Sequence, residues 1–199
     1  MHVVRSFMEF AKRQETREYV ESMFLFYAAP VIMRLRCGSL FAIRRDGDNI
    51  AAAWKEVGTS LLERHDVRAI ELPSKRGGWN SVLLLAYDPP TLRDALSSDA
   101  AVGILCERRY GNCADVDGCL RCLKERFGGE FPHEIGLFLG YPPGDVRGFL
   151  RDNGKGAVAT GYWKVYSNVR EAKTKFRKFR SAERSVAREI LRRSAARAS

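Results

Sequence analysis

His133 and Glu134 are neighbours in the chain and together suit proton transfer or metal binding. A histidine beside a carboxylate can ligate a metal ion or move a proton. The second histidine of an H-E-x-x-H metalloprotease motif is missing, so the pair is a weak catalytic candidate, and the alternative is that both residues cap a helix. Lys164 is the third weak candidate, because an aromatic patch around it predicts a pocket: Tyr141, Tyr162, Trp163 and Tyr166.

Four cysteines have the spacing C-x6-C-x5-C-x2-C: Cys106, Cys113, Cys119 and Cys122. Thiolates at such spacing can hold zinc or an iron–sulfur cluster. Cys119 and Cys122, however, fall inside a predicted amphipathic helix, and Cys119 adjoins its apolar stripe. Burial as small hydrophobic side chains is therefore the main expectation, with metal binding as the alternative.

Basic residues are concentrated at the C-terminal end of the chain. From Lys164 onward there are 12 lysines and arginines but 3 glutamates, which leaves +9 of the net charge of +10 in this segment. A predicted helix that begins at Ser167 or Asn168 carries these cations opposite an apolar face. Such a face can bind nucleic-acid phosphates, an anionic membrane surface or an acidic partner, or it can simply be solvated. The candidate anion-binding residues are Arg170, Lys173, Arg177, Lys178, Arg180, Arg184 and Arg188.

Residues 131–154 predict two short helices joined by a tight corner, from Pro132 to Gly140 and from Pro143 to Asn153. Three residues match the spacing of a helix-turn-helix unit: Gly136, Gly140 and Val146. The residues expected on the outer face of the second helix nearly cancel in charge, namely Asp145, Arg147, Gly148, Arg151 and Asp152. That balance favours a simple corner of two helices over a DNA reader.

The rest of the pattern predicts an α+β fold, with a small, mostly antiparallel sheet and surrounding helices. The C-terminal half is expected to be helical, with the helix-turn-helix-like corner and a long basic C-terminal helix. A continuous apolar run at Trp79–Tyr87 predicts a buried central strand. Further strands are predicted at 40–44 and 67–73, with a turn at 75–78 and a hairpin at 155–166. Helices are predicted at 1–28, 49–64, 88–96, 98–108 and 115–127. Pro30 is expected to close the first of them, and the polar patch Lys12–Glu18 can break it in two.

Two long segments resemble a bacterial family described as domain of unknown function 3793. The first is FPHEIGLFLGYPPGDVRGF followed by GYWKVY, and the second is APVIMRLRCGSLF, in which the family is expected to have lysine in place of Arg36. The resemblance runs from about Arg17 to about Arg180, so the expected organisation is one family domain over 1–180 and a basic helical tail over 181–199. It implies a soluble bacterial protein with a shared fold, and it carries no activity.

Composition limits the class of protein. A hydrophobic content of 45% is sufficient for a packed core, and no apolar run reaches the length of a membrane helix. The first residues lack the pattern of a signal peptide, so the protein is expected to be cytoplasmic with reduced cysteines. The favoured hypothesis is a non-enzymatic binding protein for an anionic partner, with nucleic acid the expected one, through the basic C-terminal helix. The alternative is a small-molecule or metal-dependent enzyme with a site near His133, Glu134 and Lys164, and the cofactor of such an enzyme is unknown.

Overall fold

The computed structural model describes residues 2–74, 78–111 and 115–197. The predicted turn at 75–78 and Cys113 therefore fall wholly or partly outside the described residues. The elements follow the order α1 (His2–Ala11), α2 (Thr16–Ile32), β1 (Gly38–Arg44), α3 (Ile50–His65), β2 (Arg68–Glu71), β3 (Ser81–Tyr87), α4 (Pro89–Ser97), α5 (Asp99–Glu107), α6 (Val116–Arg126), α7 (Ile135–Phe138), α8 (Pro143–Asp152), β4 (Ala159–Thr160), β5 (Lys164–Val165) and α9 (Val169–Arg197). The predicted α+β class is confirmed.

One antiparallel sheet has the strand order β1-β3-β2, so the apolar run predicted to be central does occupy the centre. Successive side chains of a strand point to opposite faces of a sheet. Leu84 accordingly packs with the first helices of the chain, whereas Leu85 packs with the helices that follow the sheet. The sheet thus separates two apolar clusters, one with α1, α2 and α3 and the other with α4 to α8.

A third and smaller apolar cluster forms beside the second. The β4–β5 hairpin contributes Trp163 and Val165, and α9 contributes Phe176 and Phe179. Trp163 and Val165 are buried while Lys164 between them is exposed, as the alternation of a strand predicts. This cluster fixes the hairpin against the start of α9.

The predicted end of the first helical segment at Pro30 is wrong. Pro30 lies inside α2, which continues to Ile32. A proline lacks its own N–H but keeps its carbonyl as an acceptor. The Pro30 carbonyl accepts a hydrogen bond from the backbone N–H of Leu35 at 2.8 Å, and the chain turns only at Arg34, whose φ is +51°.

The predicted first helix of the corner is shorter than expected, because α7 spans only Ile135–Phe138. Gly140 has a φ of +70° and so provides the left-handed conformation that turns the chain toward α8. At Gly136 an added Cβ would lie 2.9 Å from a methyl group of Val146, so the two helices approach closely there. The corner is therefore present, with one short helix and one of ordinary length.

The C-terminal helix α9 is continuous across the predicted domain boundary at 180/181. Asn168 caps it, since its Oδ1 accepts a hydrogen bond from the backbone N–H of Glu171 at 3.2 Å. Ala182 and Ala187 are buried, and α9 contacts α1 and α2. Residues beyond 180 therefore help to cover the first apolar cluster.

Candidate functional site

All seven candidate cations of α9 are exposed. Six of them recur at intervals of three or four residues and define the cationic stripe: Arg170, Lys173, Arg177, Arg180, Arg184 and Arg188. At 3.6 residues per turn these six lie within an arc of about 80° and extend over about 27 Å of the helix. Lys178 lies outside that arc. The stripe is thus a nearly straight row of positive charges.

Within the described chain, no carboxylate lies within 4 Å of a stripe cation. Two of the three acidic residues of α9 bind other cations of the same helix, with Glu171 pairing with Lys175 and Glu189 with Arg192 and Arg193. An adjacent side of α9 is buried through Phe176 and Phe179. Packing therefore holds the helix so that the stripe faces solvent with its charges available.

The start of α1 extends this positive surface. His2 and Arg5 lie beside Arg180 and Arg184, around a surface depression of about 630 Å³. Glu183 lies at the same depression, but its carboxylate accepts a hydrogen bond from the Tyr162 hydroxyl at 2.9 Å. Burial raises the pKa of the Glu183 carboxyl above its usual range. The net sign of the surface near α1 is positive.

A separate cavity of about 410 Å³ lies between the corner and the β4–β5 hairpin. It brings together His133 and Lys164, which are 31 positions apart in the sequence. The His133 ring lies between two phenylalanine rings, with centroid distances of 5.3 Å to Phe131 and 4.8 Å to Phe149. The Lys164 ammonium donates to the carbonyl oxygen of Gly154 at 2.7 Å. Of the predicted aromatic patch, Tyr141, Tyr162 and Trp163 also line this cavity.

Glu134 does not line the cavity, although it adjoins His133 in the chain. Its side chain is buried and pairs with Arg126, with 2.5 Å between Nε and Oε1. The hydroxyl of Tyr110 donates to the same oxygen at 3.2 Å, and burial together with this carboxylate raises the pKa of Tyr110. Glu134 therefore links α6, α7 and the segment after α5.

Asp145 is the other buried carboxylate of the corner, at 3% exposure. One oxygen accepts from Trp163 Nε1 at 2.8 Å, and the other accepts from the backbone N–H groups of Tyr166 and Ser167 at 2.8 and 3.1 Å and from the Ser167 hydroxyl at 3.2 Å. The prediction that Asp145 and Gly148 face outward is wrong. Hydrogen bonds from the hairpin hold Asp145, and Tyr166 covers Gly148 with an atom 2.6 Å from where a Cβ would stand.

These contacts also limit the helix-turn-helix interpretation of α8. The helix packs against α5, α7 and β5. Of its two arginines, Arg147 pairs with Glu107 and Arg151 with Asp152. The face that a recognition helix would present to a major groove is partly covered, and both arginines already have a carboxylate partner.

The cysteines of the predicted cluster differ in their exposure to solvent. Cys106 is exposed, Cys119 is buried and Cys122 is half-buried, while Cys113 lies outside the described residues. Among the residues that the structure describes, no group of three or more His, Cys, Asp or Glu side chains is arranged to hold a metal ion. Burial raises the pKa of the Cys37 thiol to about 11, so this residue is a protonated thiol at neutral pH.

Sequence reasoning missed Phe131 and Phe149 as lining residues of the cavity, and it missed Arg5 beside the stripe. The sequence contained a signal for Phe131. This large apolar residue stands directly before Pro132, where the first corner helix was predicted to begin, so it is not part of the apolar face of that helix. The position of Arg5 had no signal, because only the packing of α1 on α9 brings it to that surface.

Within the described ranges, each helix is too short or too polar to span a membrane. Comparison with curated proteins and with solved structures gave no match. A family model described as protein of unknown function (DUF3793) matches residues 24–198. The match includes the corner, the hairpin and all of α9, and it continues past Arg180, where the resemblance was expected to end. The chain belongs to the DUF3793 family.

Proposed function

We propose that this member of the DUF3793 family is a non-enzymatic protein that binds nucleic acid through the cationic stripe of α9. The observation that supports this most is the combination of six exposed, regularly spaced cations with the lack of a carboxylate within 4 Å of any of them in the described chain. Cations with no carboxylate partner are available to replace the counterions of a polyanion. That exchange is the main source of nonspecific nucleic-acid affinity.

The side chains of the stripe are suited to contact the phosphates of a nucleic acid and not its bases. Its members are lysine and arginine, whereas Phe176 and Phe179 of the same helix are buried and cannot stack on bases. Contacts to the phosphate backbone position a protein but carry no sequence information. The proposed binding is therefore tolerant of sequence and strongly dependent on salt.

A membrane surface is a weaker partner for the same cations. An amphipathic helix binds a bilayer by inserting its apolar face among the lipids. The apolar face of α9 is already packed on the protein through Phe176, Phe179 and Ala187, each at 4% exposure or less. Insertion would require α9 to leave α1 and α2, which nucleic-acid binding does not require.

The test is fluorescence anisotropy of the full chain with a labelled 20-bp DNA duplex between 50 and 200 mM NaCl. If all six stripe cations contact phosphate, the slope of log K against log salt is about −5. The triple variant Lys173→Gln, Arg177→Gln, Arg188→Gln removes three contacts, which should reduce the slope by about 3 units and weaken binding roughly 100-fold at 100 mM salt.

The matched control is Lys55→Gln, Arg64→Gln, Lys124→Gln, which removes the same charge from exposed positions outside α9. It should leave the slope nearly unchanged. An equal loss in both triple variants would show that net charge, and not the stripe, drives binding. Salt-independent binding or no binding would also overturn the proposal. Point variants are preferable to deletion of 181–199, because that deletion would remove the buried Ala182 and Ala187.

A second candidate function, a small-molecule or metal-dependent enzyme, has one specific observation in its favour. His133 and Lys164 line the same cavity. Glu134, the third residue of that hypothesis, is bound to Arg126 and Tyr110 instead. Elemental analysis of the anaerobically purified protein tests the metal-dependent form. Stoichiometric zinc or iron would support it, and a metal content far below one ion per chain would refute it.

A further inference from the structure

The cavity between the corner and the hairpin has the size and lining of a ligand site. Its volume of about 410 Å³ falls within the range of about 300–1,000 Å³ that small-molecule sites occupy. Aromatic and aliphatic side chains form most of its wall: Leu40, Phe131, Leu139, Tyr141, Phe149 and Trp163. We propose that this cavity binds a small planar aromatic acid, a fused-ring carboxylate of about the size of naphthoate. This inference is independent of nucleic-acid binding by the stripe.

The mouth of the cavity carries uncovered aromatic surface. Phe131 is 51% exposed, although its ring contacts Phe127 at 5.4 Å and His133 at 5.3 Å between centroids. A large apolar side chain left half in water at the edge of a cavity gains free energy when a ligand covers it. A flat aromatic ring provides that cover and can pack against the neighbouring rings.

The charge of the cavity favours an anion. The Lys164 ammonium has three donors, of which the Gly154 carbonyl takes one. In the described part of the chain no carboxylate lies within 4 Å of it, and it stands 5.9 Å from the centroid of the Phe149 ring, which also lines the cavity. A ligand carboxylate that enters beside Phe149 can therefore accept a charge-assisted hydrogen bond from Lys164.

The one carboxylate in the wall does not reverse this preference. Asp145 lines the cavity, but its two oxygens accept four hydrogen bonds from the hairpin and the segment before α9. Oδ1 accepts three of these bonds and Oδ2 accepts one, and the residue is only 3% exposed, so Asp145 offers little to a cationic ligand. The aromatic lining alone would also suit a quaternary ammonium, but Lys164 at the same cavity would repel it.

The experiment is isothermal titration of the full chain with 2-naphthoate and with its neutral analogue 2-naphthylmethanol. We expect saturable binding of 2-naphthoate, about tenfold or more tighter than that of the neutral analogue, because one charge-assisted hydrogen bond has about that effect. Lys164→Met should remove this difference and leave the neutral analogue unchanged. Lys164→Gln keeps a donor for the Gly154 carbonyl, and it should behave in the same way. Phe131→Ala should weaken both ligands severalfold.

Lys155→Met is the matched control, because Lys155 is an exposed lysine at the start of the same hairpin segment that does not line the cavity. It should leave both affinities unchanged, as should the triple variant of the stripe. The proposal is overturned if 2-naphthoate does not saturate at millimolar concentration, or if it binds no better than the neutral analogue. It is also overturned if Lys155→Met acts like Lys164→Met, or if phenyltrimethylammonium binds more tightly than 2-naphthoate.

Discussion

The buried acids of the corner and the exposed cations of α9 place charge in opposite environments. Glu134 and Asp145 are 1% and 3% exposed, and each accepts hydrogen bonds from residues of other segments of the chain. The cations of the stripe are exposed and make no ion pair in the described chain. An unpaired charge is very costly inside a protein and inexpensive in water. The acids therefore stabilise the fold through their hydrogen bonds, while the cations are available to bind a partner.

This difference separates stability from binding. Loss of a buried acid leaves buried donors without an acceptor, which destabilises the folded state. Loss of an exposed cation changes little in the folded state and alters only the interaction with an external anion. The two regions should therefore respond to substitution in different assays, and four predictions test that separation.

The largest effect is expected for Asp145→Ala. It leaves the Trp163 indole N–H and two backbone N–H groups without their acceptor. At 1–3 kcal/mol for each unsatisfied donor, we expect a loss of about 4 kcal/mol in the free energy of unfolding, measured by urea denaturation. The control Asp152→Ala removes a partly exposed carboxylate from the same helix, one that pairs only with the exposed Arg151, and it should have little effect. Equal losses in the two variants would contradict the assignment of Asp145 to the fold.

Glu134→Ala should have the next largest effect. It breaks the ion pair with Arg126 and leaves the Tyr110 hydroxyl without its acceptor. The loss of unfolding free energy should be about 3 kcal/mol, at the lower end for a buried pair because the Arg126 side chain is 36% exposed and regains water. Glu130→Ala, at an exposed position before α7, is the control. A urea midpoint for Glu134→Ala that coincides with that of Glu130→Ala would refute this prediction.

Glu183→Gln should have a smaller effect on the free energy of unfolding, and this effect should depend on pH. Burial raises the pKa of the Glu183 carboxyl, so the folded chain retains this proton at a pH where the unfolded chain has lost it. Its contribution to stability is therefore complete below the unfolded pKa and is lost as the pH rises through the folded pKa. Glu183→Gln should thus be more stable relative to the wild type at pH 7.5 than at pH 4, by comparison of urea midpoints.

Glu189→Gln provides a control of opposite sign. Hydrogen bonds from Arg192 and Arg193 lower the pKa of Glu189 to about 2, so its contribution is present above the unfolded pKa and is lost as the pH falls through the folded value. Relative to the wild type, Glu189→Gln should be less stable at pH 7.5 than at pH 4. The same direction of change in both variants would contradict the difference in their environments.

The smallest change in stability is expected for the stripe. The triple variant Lys173→Gln, Arg177→Gln, Arg188→Gln should keep the free energy of unfolding within about 1 kcal/mol of the wild type, since exposed substitutions usually cost less than about 0.5 kcal/mol each. The measurement is again urea denaturation, followed by tryptophan fluorescence. A large loss would show that these cations stabilise the fold, and any loss of DNA binding would then have two explanations.

The sequence predicted the helices well where a local signal marks their ends. At five predicted helix starts, the side chain of the first residue accepts a hydrogen bond from a backbone N–H three residues later. These residues are Asn49, Asp88, Ser98, Asp115 and Asn168. Such caps depend on neighbours in the chain, so the sequence contains the required information. Pro30 was misread because a proline near the end of a helix removes one donor and does not block the following residues.

The candidate sites were less predictable because their contacts are distant in sequence. His133 and Lys164 were both candidates, but only the packing of the hairpin against the corner brings them to one cavity. Nothing in the sequence distinguishes the carboxylate of Asp145, which lies in the first turn of α8, from an exposed helical acid. Its donors follow it by about twenty positions and reach it through a hairpin.

The sequence by itself determined the periodic features of this protein: the order of helices and strands, the central apolar strand, and the row of cations opposite an apolar face on α9. These follow from spacing and from contacts within a few residues. Only the tertiary structure decided which charges are buried and which face solvent. Burial is decided by the helices and strands that pack over a residue, and those elements come from other parts of the chain.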